Sequence, residues 1–140
     1  MQEQRLLQRT RGLLPTDWNA MVYIDHALPP MVPWRIPLMY EFGSTSVVVG
    51  VHGAGLSHLI FCQSGTQVVE IALPEPHALY FQHLSAELGL GYSKIPMHGS
   101  GLYGAPVLPT EAVDEDAVIG AVAAAVAAVD AEGETSSLLA

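Results

Sequence analysis

The 140-residue chain is short of four things: cysteine, basic side chains, charge of either sign, and long unbroken apolar runs. Its single cysteine, Cys62, excludes an intrachain disulfide and any zinc site built on several thiolates. Lying in an apolar stretch, it reads as a small buried hydrophobe. Five basic residues stand against 14 acidic ones, a formal net charge of -9, so a nucleic-acid backbone meets a repulsive field and is not an expected partner. Charged residues make up only 14% and hydrophobic ones 50%, the proportions of a folded domain rather than a disordered tail. The most apolar stretch, AVIGAVAAAVAAVDA from Ala117, is shorter than the ~20 residues that span a bilayer and rich in alanine, so it predicts a packed helix. MQEQRLLQRTRGLLP has three arginines and no continuous apolar centre, unlike a secretory signal or a membrane anchor. An anchor is expected only in a longer parent chain.

What is present organises itself along the chain. Residues 1–44 read as an irregular segment with one short helix near the start, because ALPPMVPWRIP from Ala27 holds four prolines that oppose regular helix. From Thr45 the pattern becomes orderly. TSVVVGV is β-branched and continuous, as for a strand covered on both faces, and LSHLIFC has helical spacing at Leu56, Leu59 and Ile60. QVVEIAL from Gln67 reads as a second buried strand ending at Pro74. HALYFQHLSAELGLGY predicts a helix with Phe81, Leu84 and Leu88 on one face and Gly89 as its stop. YSKIPM fits a third strand, and a glycine and proline loop leads to a last helix capped by Thr110 or Asp114, with Ile119, Val122, Val126 and Val129 inward. Strands alternating with helices imply an α/β fold, a Rossmann-like parallel sheet with flanking helices over residues 45–131. EGETSSLLA, 132–140, reads as a disordered tail.

The junction VVVGVHGAGLSHLIF, from Val47, concentrates the functional interest. In open parallel sheets ligands bind beyond the carboxyl ends of the strands, where the first turn of the next helix offers unpaired N–H groups and a partial positive charge. Gly53 and Gly55 would let the backbone turn sharply and let a phosphate approach without meeting a Cβ, with Ala54 the smallest side chain between them. His52 would face the same space. Gly50, Gly53 and Gly55 are spaced three then two apart, the reverse of G-x-G-x-x-G, and no G-K-[ST] is present, so neither standard nucleotide fingerprint applies. Two readings stand side by side: an anion site, or glycines that permit tight packing around a hydrogen-bonded core histidine. Glu70, near the end of the next strand, is where an acid accepts from ribose hydroxyls, or is simply a solvated strand end.

The segment from Thr45 to about Pro96 resembles the carboxyl-terminal part of the family 61 glycosyltransferases. The resemblance rests on His52-Gly53-Ala54-Gly55-Leu56, the apolar stretch and Gly65 turn after it, the V-V-E-I-x-x-P run through Glu70 and Pro74, Tyr80-Phe81, and Leu88-Gly89-Leu90-x-Tyr92. It implies one half of a GT-B fold, the donor-binding domain of a two-domain enzyme. The implied activity is inverting transfer of a sugar from a UDP-sugar to a glycan or protein hydroxyl, in the Golgi or endoplasmic reticulum lumen. His52, Gly53, Ala54, Gly55 and Leu56 would hold the diphosphate and Glu70 the ribose. No metal ligand, no cofactor besides the donor substrate and no catalytic base is assigned. Two such domains need about twice this length, so the acceptor half is expected elsewhere. Ahead of the junction, the basic residues usual in the family have no clear counterpart; Arg35 reads either as a relic of that basic region or as a solvated residue. The alternative is a noncatalytic interaction or nucleotide-binding domain derived from the same fold.

Other constellations are weaker. His52 and His58 are six apart, as are His77 and His83, so neither pair has the i, i+4 spacing that sets two ligands on one helix face. Ser57 lies in GLSHL rather than G-x-S-x-G, which argues against a hydrolase. HGSG from His98 reads as a plain turn, and Lys94 as a solvated surface residue. Tyr80, Phe81 and Tyr92 read as core aromatics first and as partners for a uracil ring second. Trp18 and Trp34 suggest only packing.

Overall fold

The structure, a computed structural model, describes residues 2–20, 35–72, 79–97 and 113–138. The expectations that rest on Trp34, Pro74, His77, His98 and Thr110 lie outside the described residues. Helix α1 is Gln2–Leu13 and α2 is Arg35–Gly43; strand β1 (Val47–Val51) leads into a 3₁₀ helix, Ala54–Phe61. Strand β2 (Gln67–Ala72), helix α3 (Tyr80–Leu88), strand β3 (Gly91–Pro96) and helix α4 (Glu115–Leu138) follow. The strands form a parallel sheet in the order β1-β2-β3, so the expected α/β fold with a parallel sheet and flanking helices is observed.

The register sets the two faces, because side chains alternate along each strand. Gly50 lies beside Glu70 and Glu70 beside Lys94, while Val48, Val68 and Tyr92 line up one step earlier on the same face. The 3₁₀ helix and α3 cover that face, where Leu56, Leu59, Val68, Phe81 and Leu90 are buried together with Leu84 and Leu88 at the margin. On the opposite face Ile71 and Met97 meet Val118, Val122 and Val126 of α4, with Leu6, Leu14 and Trp18 packed against them from the amino-terminal region. β2 runs between these layers and is almost wholly buried from Val68 to Ala72.

Several expectations are corrected. β1 is an edge strand, and its Val49 and Val51 are 40% and 58% exposed rather than covered on both faces. The short helix expected near the start is α1, but the segment 1–44 carries a second helix, α2, which begins within the proline-rich stretch. Pro37 is accommodated because it falls in the first turn of α2, where a helix N–H has no intrahelical partner to lose, and Leu38, itself fully buried, anchors a helix whose Ile36, Met39 and Tyr40 are exposed. The apolar turn after the glycines is 3₁₀ rather than α, with Leu56 and Leu59 three apart as its buried pair. α4 continues to Leu138, through most of the stretch read as a tail, since no proline interrupts it. Its inward stripe is Val118, Val122, Ala125 and Val126, spaced i, i+4, i+7, i+8, and Ile119 and Val129 lie at its flanks.

The termini of the helices follow the chemistry of their sequences. The Asp114 carboxylate accepts from the Ala117 N–H at 3.0 Å and caps α4, and Glu115 and Asp116 sit at the positive end of its dipole. Arg5 and Arg9 of α1 donate to Glu115, and Arg9 also to Asp116, so the two helices are clamped at that end. α3 stops at Gly89, whose φ of 68° is the left-handed conformation that closes a helix.

Candidate functional site at the end of the first strand

His52 continues the β1 ladder one residue past the strand, its N–H donating to the Ile71 carbonyl at 2.8 Å. The alternation therefore places its ring on the same face as Gly50 and Glu70. The ring meets Phe81 of α3 edge-on, with centroids 5.2 Å apart. Beneath it Glu70 is fully buried in the middle of the central strand. One Glu70 oxygen is hydrogen-bonded to His52 Nδ1, and the other accepts from the Tyr92 hydroxyl.

This arrangement fixes the state of the imidazole. A carboxylate only accepts hydrogen bonds, so the proton of the neutral ring sits on Nδ1 and the lone pair on Nε2. Ser85 Oγ is, among the described residues, the only buried side-chain polar atom without a partner. Nε2, which has no partner among these residues either, therefore faces solvent, consistent with a side chain that is 30% exposed. Burial, followed by the hydrogen bond to Glu70 and the carboxylate's charge, pushes the Tyr92 hydroxyl well above the ordinary tyrosine value, so it remains a donor. The result is a hydroxyl, a buried carboxylate and an imidazole in line, with one reactive nitrogen turned outward. Such a nitrogen can take a proton from a bound group or, when protonated, donate to an anion.

The five residues expected to hold an anion divide. Leu56 belongs to the core: it is 4% exposed, its N–H is spent on the Gly53 carbonyl at 3.1 Å, and its side chain fills the space above Gly50. Ala54 and Gly55 are exposed, and Gly53 is half-buried. The turn is not the reason for these glycines. Gly53 is extended, and the left-handed glycines among the described residues are Gly65 and Gly89. A Cβ at Gly53 would meet only the Val51 carbonyl, at 3.8 Å, and one at Gly55 nothing within 4 Å, whereas at Gly50 it would lie 2.7 Å from Leu56 Cδ2. The fold thus requires a bare residue at Gly50 but not at Gly53 or Gly55.

Glu70 also departs from expectation. With both oxygens engaged and no exposure it does not reach a ribose; it holds His52 instead. The sequence contains the signal for this pairing only through the register: once Gly50 is set beside Glu70, a residue two further along β1 shares its face. Tyr92 enters by the same logic from β3, one step before Lys94 on that face. Phe81 is core, Tyr92 is committed to Glu70, and Tyr80, 63% exposed and edge-on to Phe81, is the aromatic left open beside the site. His58 lies elsewhere, between Phe42 and Phe61. Cys62 is half-buried against the apolar face, its thiol pushed up to about 11 by burial. No three potential metal ligands cluster among the described residues, and no helix among them is long and apolar enough to cross a membrane. No protein-family model, curated protein or solved structure matches the chain.

Proposed function

We propose that this chain is the donor-binding half of a GT-B glycosyltransferase resembling family 61, which binds the diphosphate of a UDP-sugar at the turn from His52 to Gly55. The observation that carries the reading is the outward Nε2 of His52, held from behind by a buried carboxylate beside two glycines that the fold itself does not need. With the Leu56 N–H spent on Gly53, an anion at this edge of a parallel sheet would draw on the helix dipole, the N–H groups of Ala54 and Gly55 and an imidazolium donor together. Exposed Tyr80 suits a uracil ring. Leu56 and Glu70 act at one remove, Leu56 by anchoring the helix and Glu70 by orienting His52. The transfer itself, inverting and toward a glycan or protein hydroxyl in the Golgi or endoplasmic reticulum lumen, belongs to this reading as the activity of a two-domain parent.

Titration calorimetry with UDP tests it on the chain as it stands. Binding with a dissociation constant on the order of 10–1000 μM is expected, some 4–7 kcal/mol at a shallow site. His52→Ala should weaken it at least about tenfold, as expected for the loss of one charge-assisted hydrogen bond worth roughly 1.5–3 kcal/mol. Absence of binding by folded protein at millimolar UDP refutes the proposal.

A further inference from the structure

The pairing of a fully buried carboxylate with an open imidazole edge has a consequence for how an anion is admitted. While Glu70 accepts from Nδ1–H, the neutral His52 ring presents only a lone pair at Nε2. A phosphate oxygen at neutral pH also presents lone pairs, so the two repel rather than bond. Contact becomes favourable when Nε2 takes up a proton, and Glu70 behind the ring stabilises the cation that results.

We propose that Glu70 is a positioning residue that locks His52 in the Nδ1–H form, so that a nucleotide diphosphate binds with uptake of a proton at Nε2. This inference rests on the diphosphate reading of the site. The proton comes from solvent and returns to it when the nucleotide leaves. The groups that face His52 make it the proton's destination. Glu70 approaches from β2 with its second oxygen held by Tyr92 of β3, and α3 contributes uncharged Phe81. Leu56 of the 3₁₀ helix, packed over Gly50, is apolar. Lys94, beside Glu70 in the register, has an interaction of its own and is the other charged residue at that level of the sheet.

Calorimetry with UDP at pH 8, in buffers of different ionisation enthalpy, counts the protons exchanged. At that pH the terminal phosphate, whose second ionisation lies near ~6, is already deprotonated, so uptake reports on the protein. Net proton uptake on binding is expected, with affinity falling as pH rises in the alkaline range. Glu70→Gln keeps an acceptor for Nδ1–H but removes the charge, and should cut both the uptake and the affinity about tenfold. A measurement on the unaltered, nucleotide-free protein covers the case in which that variant does not fold. The ¹⁵N shifts of His52, assigned by their loss in His52→Gln, should be those of the Nδ1–H tautomer at high pH. UDP binding without proton uptake, or an Nε2–H tautomer, overturns this inference and leaves the diphosphate site standing. No UDP binding overturns both.

Discussion

Replacing Gly50 by alanine should destabilise the protein by about 1–2 kcal/mol, and the size follows from one contact. A Cβ at this position would lie 2.7 Å from Leu56 Cδ2 and 3.3 Å from its Cγ, so Leu56 must retreat by about 0.7 Å to reach ordinary contact at 3.4 Å. It has little room, being 4% exposed in the same apolar cluster as Leu59, Val68 and Phe81. Forcing an extra methyl into a packed core typically costs about 1–3 kcal/mol, offset by about 0.5–1 kcal/mol gained when a strand loses a glycine. Urea unfolding followed by circular dichroism should show the midpoint about 0.5–1 M lower, with an unchanged slope of about 1–3 kcal/mol per molar. Gly55→Ala is the matched control, since its Cβ meets nothing within 4 Å, and should stay within about 0.5 kcal/mol of the parent. In a Leu56→Ala background the Gly50→Ala penalty should vanish, because the two sites are coupled through that contact alone. A Gly50→Ala protein as stable as the parent, or a penalty that survives removal of Leu56, refutes the reasoning.

Two further outcomes follow from charge and burial. With its thiol raised to about 11, Cys62 should react with iodoacetamide at pH 8 about a hundredfold more slowly in the native protein than in urea, and equal rates would contradict its burial. Hydrogen bonds from Arg5 first, then Arg9, hold the Glu115 carboxyl below the usual range, so its contribution to the clamp between α1 and α4 is present above the ordinary carboxylate value and lost as pH falls through the lower folded one. Trp18 fluorescence, read in a Trp34→Phe background, should therefore shift to the red between pH 5 and 3; Glu115→Gln should abolish the step, and a step that persists in that variant contradicts the assignment.

The parts of the fold legible in the sequence are those governed by short-range chemistry. The β-branched run of β2, the i, i+3, i+7 face of α3 with its glycine stop, and the Asp114 cap of α4 each follow from neighbours within about two helical turns. What escaped depends on position relative to distant elements. Val49 and Val51 look like buried strand residues until the sheet order makes β1 an edge. Pro37 looks like a helix breaker until the helix is seen to start two residues before it. The glycines look alike in sequence, yet only the packing of Leu56 separates Gly50, which the core demands, from Gly53 and Gly55, which it does not.

Glu70 shows most clearly what local reading cannot supply. Between Val69 and Ile71 in a wholly buried strand, a carboxylate is an expensive choice on stability grounds, because desolvating an ion offsets much of what its partners return. An apolar side chain of similar volume, facing a phenylalanine in place of Tyr92, would fill the same space at no such cost. Stability therefore does not account for the acid. Its two hydrogen bonds do one thing an apolar residue cannot: they fix which nitrogen of His52 faces the solvent. In the proposed donor site, the geometry that makes Glu70 unavailable to a ligand is thus the geometry that orients the imidazole of His52.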